Sequence, residues 1–241
     1  GGTMWVGKYT GYVTDDLTIS ALYGKSKAPH LDVPKGASGG ICPNITDNRT
    51  TGTPRVSCAP VQGNLIVPGA NDKTKALRFD VEYRLGAHDL RAGIDNQTLE
   101  SFAGLQSQGG ATWVYTDAPA NGVIPGYPDL VVPPGATEIA QRVIFSASGN
   151  TKVEQEAQFI EDHWQVSDRW LAYIGLRNEQ FKNFNTDGEV YVKQRHQLAP
   201  RLGVTWDVYG DSTLKIYANA GRYHLAVPSN VAIRGAGPSR F

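Results

Sequence analysis

One pattern in the chain suggests a catalytic serine, but it lacks the structural context that such a serine needs. Residues 36–40 read Gly-Ala-Ser-Gly-Gly and satisfy the G-x-S-x-G pattern of a hydrolase nucleophile elbow. That motif places its serine between a strand and a helix. Here the segment Val33-Pro34-Lys35 precedes it and a cysteine-containing loop follows it. We therefore interpret residues 36–40 as a flexible turn.

The remaining acid and base side chains also lack the spacing of a catalytic or metal site. Glu161, Asp162 and His163 are consecutive in a predicted strand, where neighbouring side chains point to opposite faces. Residues 47–50 lack the alternately spaced oxygen ligands of a calcium loop. Neither HExxH nor any paired ligand spacing occurs among the five histidines, His30, His88, His163, His196 and His224. We predict no catalytic residue, no metal site and no cofactor, and hence a protein that is not an enzyme.

The two cysteines, Cys42 and Cys58, are separated by a stretch rich in Gly, Pro, Asn and Thr. No further Cys or His lies around them at the spacing of a zinc site. We predict a local disulfide formed in an oxidising compartment. Two free thiols are the alternative.

Composition excludes several classes of protein. The 241 residues carry 23 basic and 23 acidic side chains, so the chain has no net charge with which to attract nucleic acid. Charged residues make up 19%, whereas 27 Gly and 14 Pro indicate many turns. No apolar run is long enough for a transmembrane helix, so a membrane protein of this sequence must be a barrel. Because the chain opens in mid-pattern at Gly1-Gly2-Thr3, we expect it to be a segment of a longer protein.

Strand periodicity organises the chain. Leu77, Phe79, Val81 and Tyr83 alternate with charged residues and predict a strand with one apolar and one polar face. The pattern resumes after a turn at residues 85–88, which indicates an antiparallel hairpin. Four such hairpins are predicted, near residues 4–25, 76–104, 152–183 and 196–223, with a possible additional pair near 111–115 and 139–145. The long strands reach the roughly 9 to 11 residues that a barrel strand needs to cross a bilayer.

Short turns alternate with long connections at residues 26–73, 105–136 and 184–194, and after 224. Outer-membrane barrels have this asymmetry, whereas a soluble sandwich mixes loop lengths at both ends. Trp164, Trp170 and Trp206 lie near short turns on the apolar parity, as in an interfacial aromatic girdle. These features predict an all-β fold, a partial antiparallel up-and-down transmembrane β-barrel with long external loops.

Charged residues on the polar parity are candidates to line the lumen of this barrel. Contact with a transported ligand and hydrogen bonding to other parts of the protein are both open roles for them. The candidates are Arg78, Asp80, Glu82, Arg91, Arg177, Glu179, Arg201 and Lys215.

Two stretches carry a resemblance to a known family. Residues 159–170, Phe-Ile-Glu-Asp-His-Trp-Gln-Val-Ser-Asp-Arg-Trp, with Ile-Gly-Leu-Arg at 174–177, resemble a hairpin of TonB-dependent outer-membrane receptors. Residues 198–207, Leu-Ala-Pro-Arg-Leu-Gly-Val-Thr-Trp-Asp, with 214–223 after them, resemble the following hairpin. The sequence is most similar to the Oar-like branch. The similarity is strongest over 150–237, weaker over 74–104 and only architectural over 1–73.

The resemblance implies a barrel of 22 strands, of which residues 1–241 would be one segment of a single barrel domain. It also implies an N-terminal plug, absent from this chain, that couples the receptor to the TonB energy complex. The implied location is the Gram-negative outer membrane. The implied partners are outer-membrane lipid, TonB and an unknown small-molecule or peptide ligand, and nucleic acid is not among them. Phe241 matches the terminal aromatic signal of complete barrels, but it follows the segment 234–238, so we interpret the match as accidental.

These expectations describe a transporter that takes up a scarce ligand, with this chain supplying barrel wall and extracellular loops. The alternative is a secreted all-β carbohydrate- or protein-binding module. The ligand stays open among siderophore, saccharide, peptide and cobalamin.

Overall fold

The computed structural model describes residues 1–31, 42–59, 62–229 and 231. The predicted turn at 36–40 and the terminal Phe241 lie outside these residues. Two compact units are present, one from residues 1–29, 71–102 and the described part of 150–237, the other from the described part of 30–70 and from 103–149. None of the described helical residues forms a helix long and apolar enough to cross a membrane.

The described residues form fourteen β-strands and a one-turn 3-10 helix at Gln108–Gly110, so the all-β prediction is confirmed. The strands are β1 (Thr3–Tyr12), β2 (Leu17–Pro29), β3 (Asn44–Asp47), β4 (Asn64–Ile66), β5 (Asn71–Leu85), β6 (His88–Ser107), β7 (Thr112–Asp117), β8 (Val123–Ile124), β9 (Tyr127–Val131), β10 (Glu138–Val143), β11 (Ser146–Ser167), β12 (Trp170–Phe184), β13 (Val190–Asp207) and β14 (Lys215–Gly221).

Eight strands, which we call the wall sheet, follow one another in one open sheet in the order β1-β2-β5-β6-β11-β12-β13-β14. The three-residue β4 is the ninth strand of that sheet and pairs only with the end of β6. The hairpin partners of the wall sheet run antiparallel, and β1 and β14 are its edges, so the barrel does not close within this chain. The count of 22 strands therefore stays a prediction.

Short turns join the two strands of each hairpin at the positions that the sequence pattern predicted. Gly86 has a φ of 62°, a left-handed conformation that glycine adopts freely, in the two-residue turn between Leu85 and His88. Thr14 Oγ1 accepts hydrogen bonds from the amides of Asp16 and Leu17 at 3.2 and 3.0 Å before β2. At these two turns Thr14 and Gly86 help to fix where the flanking strands end.

The connection between β12 and β13 differs from the prediction. It comprises residues 185–189 rather than 184–194, because β13 begins at Val190. A register shift places one extra residue of β13 between the partners of Glu179 and Phe181, and His196 has a φ of 54° there. This bulge interrupts the two-residue alternation, so the sequence pattern concealed the first part of β13.

The possible additional pair near 111–115 and 139–145 exists as β7 and β10, but it does not extend the wall sheet. Both strands belong to a separate three-stranded sheet, in which β3 pairs parallel to β7. Their placement in the wall was wrong.

The two faces of the wall sheet differ in character because successive strand residues point to opposite sides. Cross-strand registers align the apolar residues, as in Ile174 opposite Leu202 and Val81 opposite Ala92. This apolar face is exposed: 49% of Ile174 and 55% of Leu202 are accessible. The opposite, polar face holds Arg78, Asp80, Arg91, Glu161, Arg177 and Arg201.

Candidate functional site

The candidate site is a charged network on the polar face of the wall sheet, centred on Arg91. Its guanidinium lies 3.2 Å from Asp80, 3.2 Å from Glu82 and 3.5 Å from Glu161. Arg78 Nε lies 3.0 Å from the same Asp80, which is buried. Three strands, β5, β6 and β11, supply these side chains. Such a network holds its members in fixed positions, since each carboxylate accepts from at least one guanidinium.

A second part of the network surrounds Arg177 on β12. Its Nε donates to Glu179 at 2.8 Å, and its other nitrogen lies 3.1 Å from Asp95 on β6. Tyr173 donates its hydroxyl to Glu161 at 2.9 Å, which connects β12 to the part around Arg91.

The structure brings most of the predicted lumen residues together. Arg78, Asp80, Glu82, Arg91, Arg177 and Glu179 all take part in ion pairs. Arg201 is placed differently, with its guanidinium 4.8 Å from the ring centre of Tyr223. Lys215 lies apart from the network. It is the exposed first residue of β14, and its register partner is Asp207 on β13. It shares the polar face but none of the network's ion pairs.

Sequence reasoning missed four members of the network. Asp95 and Glu161 have the parity of Arg91 and Arg177 and could have been found from that alternation alone. Phe159 lies between the two parts, with its ring centre 5.3 Å from Arg78 and 5.8 Å from Arg91. Tyr173 shares strand and parity with Arg177 and Glu179 and could have been found from the same alternation.

In and beside the network, three buried polar atoms, Nε of Arg91, Oε2 of Glu179 and Nε of Arg201, have no hydrogen-bond partner among the described residues. Nε of Arg91 still lies 3.2 Å from a carboxylate oxygen of Glu82, so the other two are the unpartnered atoms. Glu179 is only 8% exposed. A buried unsatisfied polar atom costs free energy, so each atom is a position at which a bound group can donate or accept.

Residues 222–228, which we call the strap, cross the polar face after β14. Asn183 on β12 donates its Nδ2 to the carbonyl of Val227 at 2.6 Å, and Asn183 is 1% exposed. His224 Nε2 donates to the carbonyl of Leu198 at 3.2 Å. Between strap and sheet lies a cavity of about 490 Å³, whose lining includes Arg177, Glu179, Phe181, Arg201, Tyr223 and His224. The two unpartnered atoms belong to residues that line this cavity.

The second unit is held together by its own polar contacts. Arg49 pairs with Asp47 at 2.7 Å and with Glu138 at 2.5 Å, and Arg55 also pairs with Glu138. Hydrogen bonds from Arg49 hold the pKa of Asp47 well below its usual range. Arg49 and Arg55 likewise lower the pKa of Glu138. These contacts order the described residues around Arg49 and favour the ionised forms of Asp47 and Glu138.

Cys42 and Cys58 are bonded in this unit, with their Cα atoms 5.5 Å apart, a separation usual for a disulfide. Formation of the bond in the cell stays a prediction. Among the described residues, no group of three or more His, Cys, Asp and Glu side chains is placed to hold a metal ion.

Comparison with known proteins found a family model and relatives of this chain, and the family model agrees with this architecture. A family model described as "TonB dependent receptor-like, beta-barrel" matches residues 7–235. The TonB-dependent transporter Oar of Myxococcus xanthus is 25% identical over 161 residues, which cover 62% of this chain and 14% of that protein. The siderophore receptor PiuA from Acinetobacter baumannii aligns over 90% of this chain and 31% of its own, at 16% identity and a TM-score of 0.45.

The chain thus spans less than a third of the length of either relative. The family match nevertheless covers nearly all of this sequence, including all eight strands of the wall sheet in whole or in part. The predicted resemblance is confirmed by this match. The chain belongs to the family of TonB-dependent receptor β-barrels, which are outer-membrane proteins of Gram-negative bacteria.

Proposed function

We propose that this chain supplies barrel wall and extracellular loops to a receptor that takes up a scarce ligand across the outer membrane with TonB-coupled energy. The observation that carries the proposal is the exposed apolar face of the wall sheet, backed by a charged face. A soluble protein buries the apolar face of a sheet, whereas a membrane barrel turns it to lipid. The plug and its contact with TonB belong to the proposal as parts outside this chain.

The height of the apolar face fits a bilayer. From Leu85 to Leu77 the strand advances about 26 Å at roughly 3.3 Å per residue. A strand tilt near 40° converts this into about 20 Å of depth, close to the roughly 25 Å of outer-membrane barrels. Polar side chains replace the apolar ones beyond this stretch. On β11 and β12, for example, Asn178 donates a hydrogen bond to Gln158 at 3.4 Å.

Aromatic residues border this apolar face at both ends. Trp170 and Trp206 stack at 5.2 Å between ring centres beside the short turns. Trp5 and Tyr23 meet edge to face at 5.5 Å near the end that leads to the long connections. Interfacial Trp and Tyr belts mark the two membrane–water boundaries of a barrel. Their positions support the short turns on the periplasmic side and the long connections outside the cell.

In this proposal the polar face lines the lumen and does no bond chemistry. Three arginines, Arg78, Arg91 and Arg177, meet five carboxylates in the network, and Arg201 adds a fourth positive charge beside it, so the wall carries both signs of charge and suits a polar ligand or protein surface of mixed charge. Glu179 and Arg201 offer one unused acceptor and one unused donor beside the strap. Ligand contact and contact with the plug are both compatible with these two atoms.

The alternative of a secreted all-β carbohydrate- or protein-binding module is not favoured. Such a module would leave Ile174, Leu202 and the rest of the apolar face in water. Contiguous apolar surface on this scale is rare in soluble monomers.

Cysteine labelling of the full-length receptor on intact cells tests the proposal. A cysteine at Asp129, in a long connection, should react with a membrane-impermeant maleimide. A cysteine at Asp15, in a short turn, should react only after the outer membrane is permeabilised. Labelling of only the Asp15→Cys variant on intact cells would show that the topology is inverted. Equal labelling of the two variants in a detergent-free soluble fraction would contradict the membrane location.

A further inference from the structure

Two pairs of lysines face each other across the wall sheet, which is an unfavourable arrangement in water. The register of β2 and β5 places Lys25 opposite Lys75 and Lys27 opposite Lys73. All four side chains are exposed. Like charges directly opposite on adjacent strands destabilise a sheet. The arrangement therefore calls for a neighbouring anion.

The described part of the chain supplies little negative charge to this patch. Glu100 on β6 lies opposite Lys73, and its Oε1 is 3.1 Å from Lys75 Nζ. Asp72 has the opposite parity and points to the polar face of the sheet. Lys25 lies 5.5 Å from the ring centre of Tyr23, a contact that orients the ammonium without neutralising it. Four lysines against one glutamate leave an excess of positive charge.

The location of the lysines defines what can supply the anion. They have the parity of the apolar face. Toward the long connections they are the next residues of that parity beyond Tyr23 on β2 and Leu77 on β5. Side chains at this level lie among lipid headgroups, whereas an ammonium within the apolar band would be costly. The excess charge therefore meets the headgroup layer on the side of the long connections.

A cavity of about 490 Å³ opens beside the patch. Lys73, Phe102, Lys152 and Phe184 line it, and all four have the parity of the apolar face. Lys152 Nζ lies 4.0 Å from the ring centre of Phe184. The cavity thus offers two further features that a large headgroup needs, namely room for a sugar and aromatic surface against which it can pack.

We propose that this lysine patch binds the phosphate groups of a phosphorylated glycolipid in the outer leaflet of the membrane. The ammonium group is a compact donor of three hydrogen bonds and is suited to phosphate. A phosphomonoester oxygen set between Lys25 and Lys75, or between Lys27 and Lys73, relieves the repulsion of each pair. The inference rests on the proposed orientation of the barrel, with the long connections outside the cell.

The test uses full-length receptor in nanodiscs of phosphatidylethanolamine that contain bisphosphorylated lipid A in both leaflets. Native mass spectrometry measures lipid A retained by the wild type and by the Lys25→Gln/Lys75→Gln variant. We expect roughly thirtyfold weaker retention in this variant, the factor that two charges near an anionic leaflet are worth. The matched control is Lys8→Gln/Lys215→Gln, which removes two lysines from the polar face and should retain lipid A normally.

Two further arms identify the source of the phosphate. Dephosphorylated lipid A should be retained weakly by all variants, and inorganic phosphate should not displace lipid A. Equal retention by the patch and control variants, or equal retention of the dephosphorylated lipid, would overturn the proposal. Because both leaflets contain lipid A, the result does not depend on topology. An inverted labelling pattern at Asp15 and Asp129 would defeat the proposed orientation while leaving this binding intact.

Discussion

Replacement of Leu202 by arginine examines which face of the wall sheet meets lipid. Leu202 lies midway along the apolar part of β13, opposite Ile174 on one side and Ala220 on the other. An arginine at the midplane of an outer-membrane barrel costs about 2 to 4 kcal/mol, and the cost falls to about 0 to 1 kcal/mol near the interfaces. Val204 lies one step closer to the girdle of Trp170 and Trp206. Its replacement by arginine should therefore lower the free energy of unfolding by less than the same replacement at Leu202.

The control position is Thr205, which lies opposite Tyr217 on the polar face. Thr205→Arg should change stability by well under about 1 kcal/mol, because the new guanidinium enters the water-filled side. The full-length receptor is folded into vesicles, and urea titrations followed by tryptophan fluorescence and electrophoretic mobility give the free energy of unfolding. Equal destabilisation at Leu202 and Thr205, or a greater cost at Thr205, would refute the assignment of the faces.

Three further outcomes concern the long connections and the strap. Because the Arg49 contacts depress the pKa of Asp47, the stabilisation from that carboxylate is complete above about pH 4 and is lost as the pH falls toward the lowered pKa. Protease resistance of the second unit should fall over that acid range, and Arg49→Gln should lower resistance at neutral pH and flatten the profile. Changing Cys42 and Cys58 to serine should leave membrane insertion intact but raise proteolysis of their loop, since closing a loop of about 15 residues is worth roughly 3 kcal/mol; normal resistance would contradict a structural role for the bond. Asn183→Ala should release the strap and expose it to protease on intact cells, whereas an unchanged digestion pattern would show that other contacts hold it.

The alternation of apolar and charged residues was sufficient to predict the long hairpins. Residues 77–83 have one strict parity, and the turn at 85–88 contains the glycine that its geometry requires. The same parity identified Arg78, Asp80 and Arg91 as neighbours on one face. Local periodicity carries this information because a strand's two faces are set by the backbone alone.

Other features depend on contacts that local periodicity does not encode. The bulge at His196 shifts the alternation by one residue, so the start of β13 was missed. The pairing of Asp95 with Arg177 joins strands distant in sequence, and their register was not readable from either strand. The strap is held on the polar face by a side-chain bond from Asn183 to the carbonyl of Val227 and by another from His224 to the carbonyl of Leu198. No side-chain pattern in residues 222–228 predicts these contacts.

Spin-label accessibility along β13 is the most direct test of the central claim that the wall sheet separates lipid from a polar lumen. Single nitroxides are placed at successive positions from Leu198 to Trp206 in the full-length receptor in bilayers, and power saturation is measured with oxygen and with a water-soluble nickel chelate. We predict a two-residue alternation, with Leu198, Leu202 and Val204 accessible to oxygen and Ala199, Arg201 and Thr205 not. Uniform accessibility along the strand, or an alternation of the opposite phase, would contradict the account.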